Sequence, residues 1–267
     1  GQTGCNSPLH HHGGPDNPPG ERADCYAYQM GLHMIAIIES VTAEYPDVIV
    51  DFDATECGRF VGLGFLSAGR FFLINNGSYA KDFDTPEHLG INPWMNMFFY
   101  PGAARSRVCR RGSSYDFVLP SSLFLIHYLP DGPALSRENS LASLVLGGNG
   151  IWGDLPALSA EDLEFWRAGL ADYKRVRAAA TRSPARRRGF VGSSPEIYEK
   201  IDPASGAGLL ALFSVNAANV VHVTQPLERP PSQVKGADAW EVFPDGRVKI
   251  SLRLERDGAR TVFFFAD

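Results

Sequence analysis

The chain has 267 residues, 44% of them hydrophobic and 21% charged, which is enough apolar material for one large core or two smaller ones. A net charge of −5 leaves no basic stripe suited to nucleic acid, and no apolar run approaches the roughly twenty residues of a membrane span. Cys5, Cys25, Cys57 and Cys109 are scattered without metal spacing or a disulfide framework, so the compartment stays open between the cytoplasm and the periplasm or exterior of a bacterium.

Residues 1–24 are rich in Gly, Pro, Asn and His with no period, and read as a loop. Domains rarely open on so long a loop, and neither an initiating Met nor a signal peptide is present, so a fragment or processed chain is expected. Consecutive His10, His11 and His12 cannot all aim at one ion from a loop, so no metal or other cofactor is expected. The spacing of Met30, Met34, Ile37, Ile38 and Val41 predicts an amphipathic helix over 26–44, packed on a sheet.

After a turn at Tyr45-Pro46-Asp47, residues 49–59, IVDFDATECGR, read as a buried strand running into a polar tip with Asp51, Asp53, Glu56 and Arg59. The C-terminal mouth of a strand is where alternating β/α enzymes keep their chemistry. So many charges close together are costly to bury unpaired, so the tip faces a wet, paired or ligand-filled cavity. A solvated loop with one ion pair is the plainer alternative.

A second strand is RFFLINN, 70–76, and the long aromatic-rich stretch 79–115 follows it. A third strand is expected over 122–130, a helix over 138–146, and a short fourth strand over 150–155. Ser159 and Asp162 form a capping box, and Leu163, Trp166, Leu170, Tyr173 and Val176 stripe a helix that ends before Pro184. The basic run 182–188 reads as the solvated exit of that helix. Near residue 205 the period changes to strands at 208–215, 219–224, 248–254 and 261–265, with hairpin turns at Pro244-Asp245-Gly246 and Arg256-Asp257-Gly258. The fold class is therefore α/β. About four strands with crossover helices make half of a (β/α)8 TIM-type barrel over 1–205, and 206–267 make a small antiparallel β-sandwich domain.

From the helix before Tyr45-Pro46-Asp47, through FDATECGR, to GGNGIWGDLPALSAEDLEFWRAGLADYKRVR over 147–177, the order of features resembles the C-terminal half of α-galactosidase and melibiase-type glycoside hydrolases, the clan of families 27 and 36. The resemblance implies retaining hydrolysis of an α-glycoside, in which two carboxyls face each other about 5 Å apart across the sugar. It places the nucleophile strand upstream of Gly1, so the isolated chain is expected to be inactive. It implies that Glu56, Cys57 and Arg59 form the tip that helps bind the sugar, Arg59 through its fork of donors.

The family's acid/base Asp stands at the end of the next strand, where this chain has Ile74-Asn75-Asn76. Asn cannot donate a proton as a general acid, so Glu56 is the expected replacement beside Asp53, with Asp82 and Asp84 as further candidates. Asn75 and Asn76 suit sugar hydroxyls, although an Asn-Gly turn explains Asn76 equally well. Asp51, His127, Trp152 and Asp154 complete the expected substrate rim, with Trp152 stacking on a pyranose face. His127 and Trp152 serve as ordinary core residues in the alternative.

The partner expected is thus an oligosaccharide or glycoside, and the open edge of a half barrel adds a homo-oligomer. A catalytically silent carbohydrate-binding relative is the competing reading. A metal-dependent α/β hydrolase using Asp51, Asp53 and the histidines is weaker, because those ligands share no element.

Overall fold

The computed structural model describes residues 5–9, 15–53, 71–73, 110, 124–125, 136–146 and 155–266. The chain divides into two compact units, 1–76 and 77–267.

In the first unit, helix α1 (Pro19–Glu44) starts earlier than its apolar stripe predicts. Pro19 is the cause: its fixed φ suits the first helical turn, and its missing N–H would have no helical partner there. Arg22 is buried against the preceding chain, donating from Nε to the Asn6 carbonyl at 2.8 Å and from Nη1 to the Asn17 carbonyl. Of the predicted stripe, Ile38 is buried and Met30 and Met34 are half-buried, whereas Ile37 and Val41 are exposed. Strand β1 (Asp51–Asp53) then pairs in parallel with β2 (Phe71–Leu73), Asp51 opposite Phe71 and Asp53 opposite Leu73.

In the second unit, β3 (Phe124–Leu125) falls inside the expected third strand. Helix α2 (Arg137–Leu144) is capped by Ser136, whose side chain accepts from the Asn139 N–H. The expected strand over 150–155 lies outside the described residues except at its end, where Leu155–Ala157 form a 3-10 turn. Helix α3 (Ala160–Arg182) begins at the predicted cap: Ser159 Oγ accepts from the Asp162 N–H at 3.1 Å and donates to the Asp162 carboxylate at 2.7 Å. Trp166, Gly169, Tyr173, Val176 and Ala180 recur every three or four residues and form its buried face. Leu163, expected in that stripe, is exposed. Gly169 permits close approach to α2, since a Cβ there would stand 2.6 Å from Leu141 Cδ2.

Two antiparallel sheets follow. One has five strands in the order β4 (Arg186–Arg188), β5 (Glu196–Ile201), β6 (Gly208–Phe213), β11 (Ala259–Phe265) and β8 (Gln233–Lys235). The other has three in the order β7 (Ala218–Val223), β10 (Val248–Leu254) and β9 (Ala239–Val242). The antiparallel pairing thus begins with β4 and β5, ahead of the change in hydrophobic period near residue 205.

Alternation along each central strand builds two cores. Leu209, Ala211 and Phe213 of β6 and Phe263 and Phe265 of β11 pack on α2 and α3. Leu210, Leu212, Val262 and Phe264 point the other way, onto Val220, Val248, Ile250 and Leu252 of the three-stranded sheet. The five-stranded sheet is therefore covered on both faces, which is why β6 reads as a continuous apolar run. Each fully buried Leu or Phe contributes about 1.5–3 kcal/mol.

Two sequence expectations are corrected here. Pro244-Asp245-Gly246 does join a hairpin, β9 to β10, with Phe243 N–H donating to the Arg247 carbonyl and Gly246 at φ 81°. Arg256-Asp257-Gly258 does not: β10 is flanked by β7 and β9, and β11 by β6 and β8, so this turn carries the chain from one sheet to the other. Asp257 takes φ 52° to make it. The basic run 182–188 is more than a helix exit, because Pro184 stops α3 and Arg186–Arg188 become the edge strand β4. Three arginines on an outer strand discourage pairing with another chain.

Candidate functional site

Asp51 and Asp53 lie in β1, and the parallel register sets Asp53 level with Leu73, so both strands end on the same side of the pair. Of the sequence-predicted site residues, these two are the ones the structure describes. Glu56, Cys57, Arg59, Asn75, Asn76, His127, Trp152 and Asp154 lie outside the described residues, as do Asp82, Asp84 and the triplet from His10 to His12.

The described residues hold a different concentration of ionisable groups, on β5. Its sequence, Glu-Ile-Tyr-Glu-Lys-Ile, is buried along its whole length. Alternation sends Tyr198 into the helix-facing core and Ile197 and Ile201 into the core between the sheets. Glu196 is fully buried and receives three donors: Arg110 Nε at 2.9 Å, the Tyr198 hydroxyl at 2.5 Å and the Gly192 N–H at 2.9 Å. The Arg110 guanidinium also lies over the Phe213 ring, 4.2 Å from its centroid. Burial first, and then the neighbouring Glu196 charge, push the Tyr198 hydroxyl far above the usual tyrosine range, so it stays a donor.

Glu199, on the opposite face of β5, is 3% exposed. Its Oε1 accepts from Arg186 Nη1 at 3.1 Å and from the Gln225 N–H at 3.2 Å, and its Oε2 lies 2.7 Å from His222 Nε2 on β7. The ion and hydrogen-bond network thus ties the two sheets together. Nearby, Asp202 is held below the usual carboxylate range by the Ser205 hydroxyl first and then by backbone N–H groups, with the charge of Arg182 adding to them.

Strand β5 has no apolar strand signature in sequence because its charges break the pattern. Ile197, Tyr198 and Ile201 were the signal available: β-branched and aromatic residues at strand spacing between charges that can be buried only in pairs.

No protein-family model matches the sequence, and no curated protein is significantly similar to it. Solved structures are similar in fold. The α-galactosidase AgaA of Geobacillus stearothermophilus superposes with a TM-score of 0.58 at 17% identity, covering 96% of this chain and 34% of its own. In fold, this chain resembles the α-galactosidases. The enzyme from Lactobacillus brevis gives 0.56 at 14% identity over 93% of this chain and 32% of its own. The galactosidase domain of an α-galactosidase-sucrose kinase gives 0.56 at 16% identity over 92% and 32%. The chain therefore spans about a third of the length of these α-galactosidases, consistent with their C-terminal half. Among the described residues, no helix is long and apolar enough to cross a membrane, and no group of three His, Cys, Asp or Glu could hold a metal ion.

Proposed function

We infer that this chain is part of a glycoside hydrolase of the α-galactosidase type, acting on α-linked sugars. The observation that carries this reading is the fold likeness over 96% of the chain to AgaA, another structure of which was determined in complex with raffinose. The parallel pair β1–β2 after a long helix is what a segment of a (β/α)8 barrel would contribute. The barrel portion occupies 1–205 in this reading and a β-sandwich follows, whose five-stranded sheet also takes in β4 and β5.

In this assignment Glu56 donates the proton and Asp53 stands beside it. Asp51, Cys57, Arg59, Asn75, Asn76, His127, Trp152 and Asp154 hold the sugar, and the nucleophile lies on a strand outside this chain. A carboxyl next to other acids in a semi-closed cleft has its pKa raised, which suits a general acid. The Asn at position 76 favours a second reading, a relative that binds sugar without cleaving it.

Hydrolysis of an aryl α-galactoside by the full-length protein and its Glu56→Gln form decides between them. A loss of about a hundredfold or more in the variant is the expected result for a general acid. Unchanged activity removes Glu56 from that role. No hydrolysis by either protein, with raffinose still bound, supports the silent relative.

A further inference from the structure

A pocket of about 460 Å³ opens where the end of α3, the edge strand β4 and the turn after β5 meet. Arg182, Ser183, Arg186, Glu199, Asp202 and Gln225 form its polar lining, and Pro184, Ile201 and Pro203 are apolar walls. Its volume is that of a site for a small ligand, for which about 300–1,000 Å³ is usual. None of these residues has a catalytic or sugar-binding role in the α-galactosidase reading.

Both carboxylates and the Gln225 amide in the pocket already accept hydrogen bonds from the protein. Both Glu199 oxygens are occupied by Arg186, Gln225 and His222. Asp202 Oδ1 accepts from the Ala204 N–H at 3.2 Å and Oδ2 from the Ser205 hydroxyl at 2.7 Å. Gln225 Oε1 accepts from Arg186 Nη1 at 3.2 Å, and its Nε2 donates to the Ile201 carbonyl at 3.1 Å. Donors remain. Arg186 uses only Nη1 toward the protein, leaving Nε and Nη2 without a protein partner among the described residues. Arg182 uses only Nε, toward the Ala178 carbonyl at 2.9 Å, leaving both terminal nitrogens.

Two guanidinium groups thus line one pocket, each anchored on its inner side by the protein. We propose that this pocket binds a sugar-sized molecule bearing a carboxylate or phosphate, whose oxyanion is held by the outward N–H groups of Arg182 and Arg186. The N–H groups of Arg182 and Arg186 without a protein partner among the described residues are donors only, whereas the carboxylates beside them already accept from the protein. An oxyanion accepts only, and the planar guanidinium fork matches its oxygens in pairs. Glu199 works behind Arg186 as a positioning residue. Arg188, two residues along the exposed strand β4, lies on the same side as Arg186 and adds positive potential.

Calorimetric titration of the protein with inorganic phosphate, galacturonate and galactose tests this. Phosphate or galacturonate should bind, and whichever binds more tightly identifies the anion; any binding of neutral galactose belongs to the proposed sugar site and should be the same in Arg182→Gln and Arg186→Lys as in the parent. Arg182→Gln and Arg186→Lys should each weaken anion binding by about tenfold, the first by removing donors and the second by replacing the fork with a point charge. Thermal unfolding of each variant separates lost donors from a lost fold, and Arg182→Gln removes no bond between the sheets. Absence of binding by both anions overturns the proposal, as does undiminished anion affinity in both folded variants or an equal loss of galactose and anion binding in them.

Discussion

Glu199 on β5 and His222 on β7 stand 2.7 Å apart across the interior between the two sheets, the glutamate side chain 3% exposed and the histidine side chain 10%. The contact is a polar cross-link inside an otherwise apolar layer of Ile197, Leu210, Val220 and Ile250. An ionised carboxylate only accepts, so Nε2 carries the hydrogen of this bond.

Removing the carboxylate should therefore cost more than removing the arginine on its outer side. Glu199→Ala leaves the Gln225 N–H and His222 without their acceptor, and a destabilisation of about 1–3 kcal/mol for each unpaired group is expected. Arg186 has 58% of its side chain exposed to screening solvent, and Glu199 keeps the Gln225 N–H and His222 in its absence, so Arg186→Ala should cost less than Glu199→Ala. Urea midpoints of the two variants measure the difference. Equal losses would mean that the bond between the sheets contributes little.

A second buried ion pair, Arg110 with Glu196, carries a sharper chemical test. Arg110→Ala leaves the fully buried Glu196 carboxylate with only the Tyr198 hydroxyl and the Gly192 N–H, and should cost about 3–5 kcal/mol. Arg110→Lys should recover only part of it, because an ammonium reproduces the charge but not the flat contact on Phe213. Full recovery by lysine would show that charge alone matters at this position.

These two pairs also show where sequence reading reached its limit. The helix ending before Pro184 was legible because Ser159 and Asp162 cap it and Trp166, Tyr173 and Val176 repeat at helical spacing. Strand β10 was legible because Val248, Ile250, Leu252 and Leu254 alternate with polar residues. Strand β5 was not, since Glu196 is paired with Arg110, 86 residues earlier, and Glu199 is hydrogen-bonded to His222, 23 residues later. Local pattern cannot register partners brought in by tertiary packing. The turn Arg256-Asp257-Gly258 has hairpin residues yet joins two sheets, because strand neighbours are chosen by the sheets and not by the turn. At the expected catalytic tip only Asp51 and Asp53 are described, as members of β1 in register with β2.

Acid should weaken the second unit through its helix cap. Asp162 is held below the usual carboxylate range by the Ser159 hydroxyl first and then by Arg137. A carboxylate with a depressed folded pKa gives stability that is present above its unfolded value, about 4, and lost as pH falls through the folded value. The unfolding midpoint should therefore fall as pH drops below about 4. Ser159→Ala should lower the midpoint by the equivalent of about 1 kcal/mol near neutral pH, and should flatten the acid limb. A variant with the same acid dependence as the parent would exclude this cap as its source.

At alkaline pH the sign reverses, and Tyr198 is the group that reports it. Its folded pKa is raised, by burial first and then by the adjacent Glu196 charge, while its hydroxyl remains bonded to Glu196 at 2.5 Å. In the unfolded chain a tyrosine ionises near about 10. A group raised on folding gives stability that is fully present below the unfolded value and lost as pH climbs from there through the folded one. Tyrosinate absorbance should accordingly show one ring resisting ionisation above about pH 10 until the protein unfolds. Tyr198→Phe should remove that delayed step and reduce the alkaline loss of stability, at the cost of one donor to Glu196. If the delayed step persists in the variant, another tyrosine is responsible, and Glu196 does not rely on Tyr198 for its third bond.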